Sequence, residues 1–264
     1  MRIGVITGSG SYRWPHLHDA AEQAVTTGHG TVTVTEGRLP GGEIVQLSRH
    51  GEGHHRLSGQ VDHKANLAAL LDRKVEAVVS LTVCGSVDAA VRPGSLVVFD
   101  DLYFPANRLP DGSLCTWYDT PGEAGRGHWI FERPFSEPLR QALVTAAGHT
   151  GVPVVPGGVY GHVDGPRFNS RPEIAALAAA GVTAVSQTAG PEAVLAGEAE
   201  LPLALVGFVT DHANGVAPVP EPVEALLERM AASRKVLADL VGHALPLLDA
   251  QPVTPAGVVH RFGS

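Results

Sequence analysis

The chain has 264 residues, of which 44% are hydrophobic, enough to bury a sizeable core in one large α/β domain. Its formal net charge of -8 argues against the clustered basic surface that nucleic acid or an anionic membrane demands. Gly and Pro number 31 and 20 and are dispersed among apolar segments, which argues for many tight turns rather than disorder.

In chain order, an apolar strand at 2–7 starts directly after Met1 with no signal-like region ahead of it. No apolar run reaches the ~20 residues that span a bilayer, so a cytoplasmic location without a membrane partner is expected. Gly8-Ser9-Gly10 follows this strand. Two glycines around a hydroxyl let backbone N–H groups and the Ser oxygen face one anion. A plain tight turn fits the segment equally well, and it matches neither a dinucleotide fingerprint nor a P-loop.

Strands at 31–36 and 43–48 lead to Arg49-His50-Gly51, which sets a guanidinium and an imidazole at a strand's carboxyl end, where α/β proteins bind ligands. Arg offers a donor fork matched to phosphate, although a solvated Arg and a structural His suit the bare dipeptide. His54, His55 and His63 lie nearby, but they have neither helical His-x-x-x-His spacing nor an acidic cluster beside them, so no metal is expected. Cys84 and Cys115 likewise form no disulfide framework or zinc spacing.

A helix at 62–71 precedes a strand at 75–81, after which Thr82-Val83-Cys84-Gly85-Ser86 offers small hydroxyl residues and a glycine for close approach to a ligand. Beyond a strand at 95–100, the Pro-, Gly- and Asp-rich stretch 104–126 is too long for an ordinary connection and reads as a functional or interface loop. A helix at 136–147 and a strand at 157–162 lead to Asp164-Gly165-Pro166-Arg167-Phe168-Asn169-Ser170. That segment opens a helix at 171–180, with Pro172 in its first turn and Gly181 as its stop. Arg167 is most simply paired with a nearby acid.

A strand at 182–186 precedes Thr188 and a helix at 191–199. A strand at 203–210 ends in Thr210-Asp211-His212, where a carboxyl can share a proton with a leaving base or cap a helix. An amphipathic helix at 221–248 packs on the sheet, and the tail 251–264 reads as irregular. Strands alternating with helices, several of them continuous β-branched runs, predict a single α/β domain over residues 1–250 with a sheet covered on both faces.

Taken together, Gly8-Ser9-Gly10, Arg49-His50-Gly51, Val61-Asp62-His63-Lys64-Ala65-Asn66, Cys84-Gly85-Ser86, Pro93-Gly94-Ser95, Asp164-Gly165-Pro166-Arg167-Phe168, Pro191-Glu192-Ala193-Val194-Leu195-Ala196 and Thr210-Asp211 resemble the methylthioadenosine phosphorylase branch of the purine nucleoside phosphorylase family. The resemblance runs from 3 to about 227. It implies a mixed, distorted central sheet flanked by helices, a homotrimer with sites near subunit interfaces, and no cofactor beyond phosphate as co-substrate. By position it puts phosphate ligands at Ser9, Arg49, His50, Thr82, Val83 (through its backbone) and Thr188. It puts the base against Phe168 and Asp211. It also puts a histidine lent to a neighbouring subunit's sugar at His128, and an apolar 5′ pocket at Val223, Leu226 and Leu227. Catalysis would then rest on Asp211 and His50, by positioning and electrostatics around an oxocarbenium-like sugar.

Three positions depart from the branch. Its Thr-Asp-x-Asp reads Thr210-Asp211-His212-Ala213-Asn214 here, so Ala213 lacks the acceptor for a 6-amino group and Asn214 is the candidate replacement. A ribose-contacting Met is Gln187, and a frequent Tyr is His63. The leading expectation is phosphorolysis of 5′-methylthioadenosine or another 5′-modified nucleoside. The alternative is a 6-oxopurine nucleoside (methylthioinosine, inosine or guanosine), and a more distant one is a nucleoside-binding protein without turnover.

Overall fold

The computed structural model describes residues 1–15, 17–250 and 252–263. The described strands are β1 (Arg2–Thr7), β2 (His18–Thr27), β3 (Gly30–Leu39), β4 (Gly42–Ser48), β5 (Ala77–Ser86), β6 (Leu96–Val98), β7 (Asp101–Tyr103), β8 (Gly127–Ile130), β9 (Val154–Val155), β10 (Val159–His162), β11 (Val182–Ser186), β12 (Leu203–His212) and β13 (Val258–Arg261). The helices are α1 (His63–Asp72), α2 (Glu137–Ala147), α3 (Arg171–Ala179), α4 (Ala189–Glu198) and α5 (Val223–Leu248).

The sheet follows the order β2-β3-β4-β1-β5-β11-β10-β7 and branches at β5, which also pairs with β12; β12 pairs with β6, and β6 with β9. Pairing is mixed. β1 runs parallel to β4 and β5, β12 parallel to β5, and β11 antiparallel to the end of β5.

Alternation along the strands decides the layers, because successive side chains face opposite sides. Ile3 and Val5 of β1, with Ala77, Val79 and Leu81 of β5, join Leu139 and Leu143 of α2 and Leu240 and Val241 of α5 in one core. Ile6 and Val78 point the other way, into a core with Leu67 and Leu70 of α1 and Leu195 and Ala196 of α4. The central strands read as continuous apolar runs because helices cover both faces. The Asp62 carboxylate caps α1 by accepting from Ala65 N at 3.0 Å, and Ser170 with Glu173 forms the capping box that starts α3.

Two expectations need correction. Residues Thr82–Ser86 do not follow the strand predicted to end at Leu81 but are the second half of β5, held there by β12 and β11. The tail is not wholly irregular either, since β13 pairs antiparallel with β8, with His260 opposite His128. Gln251 and Ser264 of that tail lie outside the described residues. The long loop folds onto α4, where Trp117 Nε1 donates to Leu195 O at 2.7 Å and Trp117 N to Glu198.

Candidate active site

β1 and β4 are parallel and in register, with Thr7 opposite Ser48, so both chains leave the sheet at the same carboxyl edge. Beyond β1, Ser11 N closes a turn on Gly8 O, and Gly10 sits at a φ of 81°, a region glycine enters freely. Beyond β4, Gly51 N closes a turn on Ser48 O. Ser9 and His50 thereby meet at one cavity of about 280 Å³.

Thr82, Val83, Cys84 and Gly85 form part of its wall from β5, Ser186, Gln187 and Thr188 from the β11–α4 junction, and Asp211, Ala213 and Asn214 from the end of β12. Along β5, Thr82 and Gly85 are three steps apart, roughly 10 Å at the rise of a strand. One end therefore gathers Ser9, His50 and Thr82, with the Thr82 hydroxyl 3.0 Å from Ser186 Oγ. The other holds Asp211, close to Gly85.

Arg49 stands behind the first end rather than on the cavity wall. Its Nε and Nη2 grip both oxygens of Glu192, at 2.7 and 2.9 Å, and neither side chain has any exposure. Nη2 also donates to Ser80 Oγ at 2.9 Å and Nη1 to Leu81 O at 2.8 Å. A Cβ on Gly8 would lie 2.7 Å from Nη1, so the glycine is what lets the Gly8-Ser9-Gly10 turn lie against the guanidinium.

The imidazole of His50 is 2.9 Å from Arg56 O through Nδ1 and stacks on His54 with centroids 4.2 Å apart. Burial, reinforced by the Arg49 cation, depresses its pKa to about 4, and the ring is neutral near pH 7. At the far end a register shift in β12 between Val209 and Asp211 re-aims the strand, as bulges near sites commonly do. The Asp211 carboxyl accepts from Thr210 Oγ1 at 2.7 Å. Burial raises its pKa, an effect only partly opposed by that hydrogen bond.

Gln187 spans two loops. Its Oε1 accepts from Ser58 Oγ at 3.0 Å and its Nε2 donates to Arg167 O at 3.1 Å. The absence of a side chain at Gly165 makes room for that amide. Arg167 is paired with Glu173 through both nitrogens, which ties the Phe168 loop to α3. Asn214 donates to Asn169 O at 2.7 Å, and Phe168 lines the cavity although 65% exposed.

Of the sequence-derived residues, the structure brings Ser9, His50, Thr82, Val83, Thr188, Phe168, Gln187, Asp211, Asn214 and Leu226 onto one cavity. Val223 and Leu227, 66% and 50% exposed, lie off its wall, because α5 reaches the cavity through Leu226 and, one turn on, Met230. His128 sits exposed on the β8–β13 ribbon, also off the wall. Glu192, Ser58 and Met230 were not read as site residues. The helical spacing from Leu226 to Met230 is a signal for the last, whereas nothing local marks Ser58.

A polar cup beside a single perturbed carboxyl, at the carboxyl edge of a mixed sheet, defines a small-molecule enzyme of the α/β class. The model of the Phosphorylase superfamily matches residues 2–246. A probable 6-oxopurine nucleoside phosphorylase of Thermococcus kodakarensis is 36% identical over 96% of this chain and 95% of its own length. An S-methyl-5′-thioadenosine phosphorylase of Chloroflexus aurantiacus is 31% identical over 98% and 89%. The solved methylthioadenosine phosphorylase of Schistosoma mansoni in complex with adenine superposes with a TM-score of 0.86 at 28% identity, covering 96% of this chain and 93% of that one. The chain belongs to the phosphorylase superfamily and stands among its nucleoside phosphorylases.

Proposed function

We propose that the chain splits the N-glycosidic bond of a purine nucleoside with inorganic phosphate, and that the base it takes is a 6-oxopurine. The observation that carries the first statement is the shared cavity wall: Ser9, His50, Thr82 and Thr188 face the same space as Asp211. Phosphate held by the cup attacks C1′ while the C1′–N9 electrons pass to the purine. Asp211, whose pKa burial raises, donates in its protonated form to N7 as negative charge grows there. Arg49 acts on the cup from behind, with its charge fixed by Glu192.

Ala213 supports the choice of base. Among the described residues Asp211 is the one carboxyl group on the cavity wall, and the Ala213 methyl cannot accept a hydrogen bond from a 6-amino group. The Asn214 amide, anchored on Asn169 O, can serve an oxo purine. Leu226 and Met230 form an apolar patch suited to a 5′-substituted sugar, methylthioinosine ahead of inosine. His128, exposed and off its own cavity, supports the reading in which a homotrimer carries it to a neighbouring copy's sugar.

The test is a panel of methylthioinosine, inosine, guanosine, methylthioadenosine and adenosine, each with phosphate, reading free base and sugar 1-phosphate. Phosphate-dependent release from the oxopurines, faster than from the adenine nucleosides, is expected. Release from the adenine nucleosides alone would return the assignment to methylthioadenosine. Nucleoside binding without any release would leave a binding protein.

A further inference from the structure

We propose that His50 meets the phosphate co-substrate as a hydrogen-bond acceptor, so that the cup selects an oxyanion carrying a proton over one of equal charge and shape that carries none. This deepens the phosphorolysis reading and rests on it for the identity of the co-substrate.

The argument starts from one hydrogen bond. His50 Nδ1 lies 2.9 Å from Arg56 O. A carbonyl oxygen can only accept, so Nδ1 carries the hydrogen. In a neutral imidazole the other nitrogen, Nε2, then presents a lone pair. His50 lines the cavity, and its Nε2 has no protein partner among the described residues and is not sealed from the open space. Its surroundings keep the ring neutral. The Arg49 guanidinium and the stacked His54 ring disfavour a second proton, burial does so more strongly, and only the Arg56 carbonyl and the more distant Glu192 favour it.

The remaining side chains of the cup adapt where His50 does not. Ser9, Thr82, Ser186 and Thr188 carry hydroxyls that turn to donate or accept, and Arg49, behind the cup, only donates. The Glu192 carboxylate is taken up by Arg49 and Ser80. Among the side chains of the described residues on the cup, His50 is thus the one whose acceptor role is fixed by its tautomer. Hydrogen phosphate has one P–OH to offer it, whereas sulfate and monofluorophosphate are tetrahedral dianions with none. Either would leave a lone pair pressed against an anionic oxygen.

The proton count of the reaction fits. An unprotonated oxygen of hydrogen phosphate forms the bond to C1′, and the C1′–N9 pair leaves with the purine. The new monoester is a stronger acid than hydrogen phosphate was, and its proton already lies on a hydrogen bond to Nε2. The monoester gives that proton up to solvent as it leaves, while Asp211 protonates the purine and regains a proton from solvent.

Calorimetry of the intact chain with phosphate, arsenate, sulfate and monofluorophosphate near neutral pH tests the idea. Phosphate and arsenate are expected to bind about 10- to 100-fold more tightly than the two proton-free dianions, the range for leaving one polar group unpaired. In His50→Gln, whose amide turns to donate or accept, the preference should shrink to roughly threefold or less. On the wild-type complex, nitrogen NMR should show Nε2 of His50 unprotonated with phosphate bound. Sulfate and monofluorophosphate binding as tightly as phosphate, a protonated Nε2, or no anion binding at all would each overturn it. Selective anion binding with no nucleoside turnover would instead count against phosphorolysis alone.

Discussion

Arg49 and Glu192, 143 positions apart in the chain, are joined by two hydrogen bonds of 2.7 and 2.9 Å with both side chains wholly excluded from solvent. The pair fixes the position of a cation that, left to itself, could not stay buried. Glu192→Gln leaves that cation without its counter-charge. It should cost about 3–5 kcal/mol in urea unfolding and raise KM for phosphate about tenfold or more, with little change in KM for the nucleoside. A purely structural role would lower stability while leaving the ratio of the two KM values alone.

The pH dependence of turnover should reveal Asp211. Its pKa lies above the usual carboxylate value, chiefly through burial, so the protonated form persists above the pH where an exposed Asp has ionised, and is lost as pH rises through the raised pKa. If that form donates to the departing base, kcat falls along the same alkaline limb. Asp211→Asn should lower kcat by roughly 10²-fold or more and remove the limb. A wild-type profile without such a limb contradicts the assignment.

Much of this architecture was legible in the sequence, for a physical reason. The central strands are buried on both faces, so β1, β4, β5, β11 and β12 announce themselves as apolar runs, and amphipathic periodicity marks α2 and α5. β2 escaped because His18–Thr27 is mostly exposed, with Val25 its one buried residue, and it holds its place chiefly by pairing with β3. β8 and β13 escaped because each exists only through the other, across more than a hundred residues. In the site, strand-end residues such as His50 and Asp211 were readable because a strand's end is a position in the fold. The placement of Arg49 behind the cup was not, since it depends on Glu192 arriving from a distant helix.

Acid should unfold the protein through its buried histidines. Burial, with Arg49 as a second cause for the first two, lowers His50 to about 4 and His63 to about 3, and burial beside His63 lowers His162 to about 3. Below the ordinary value near 6.5, the unfolded chain takes up protons that the folded chain refuses. Stability therefore declines as pH drops from about 6.5 towards about 3. His63 Nδ1 is buried without a hydrogen-bond partner, so His63→Phe removes one of these protons and an unpaired polar atom together. Urea midpoints should decline less steeply with acid in this variant, and an unchanged slope would show that His63 is not one of the groups involved.

The proposed base preference turns on Ala213, which is buried at the cavity wall with its backbone N–H bonded to Ser86 O. Its methyl faces the side of Gly85, where an added Cβ would come no nearer than 3.6 Å to it and 3.5 Å to the Asp211 carboxyl. Ala213 lines the cavity, so an acid at this position can face the bound base. Ala213→Asp supplies an acceptor that a 6-amino group can use and a 6-oxo group cannot, so the new carboxylate repels one base while it binds the other. The ratio of kcat/KM for methylthioadenosine over methylthioinosine should rise about tenfold or more. The second carboxylate also sits beside Asp211, and like charges hold a shared proton longer, so the alkaline limb of turnover should move to higher pH in the same variant. A ratio that stays put while the limb moves would mean that the acid has entered the site but the 6-position of the base lies elsewhere, and the base preference would then have to come from Asn214 alone.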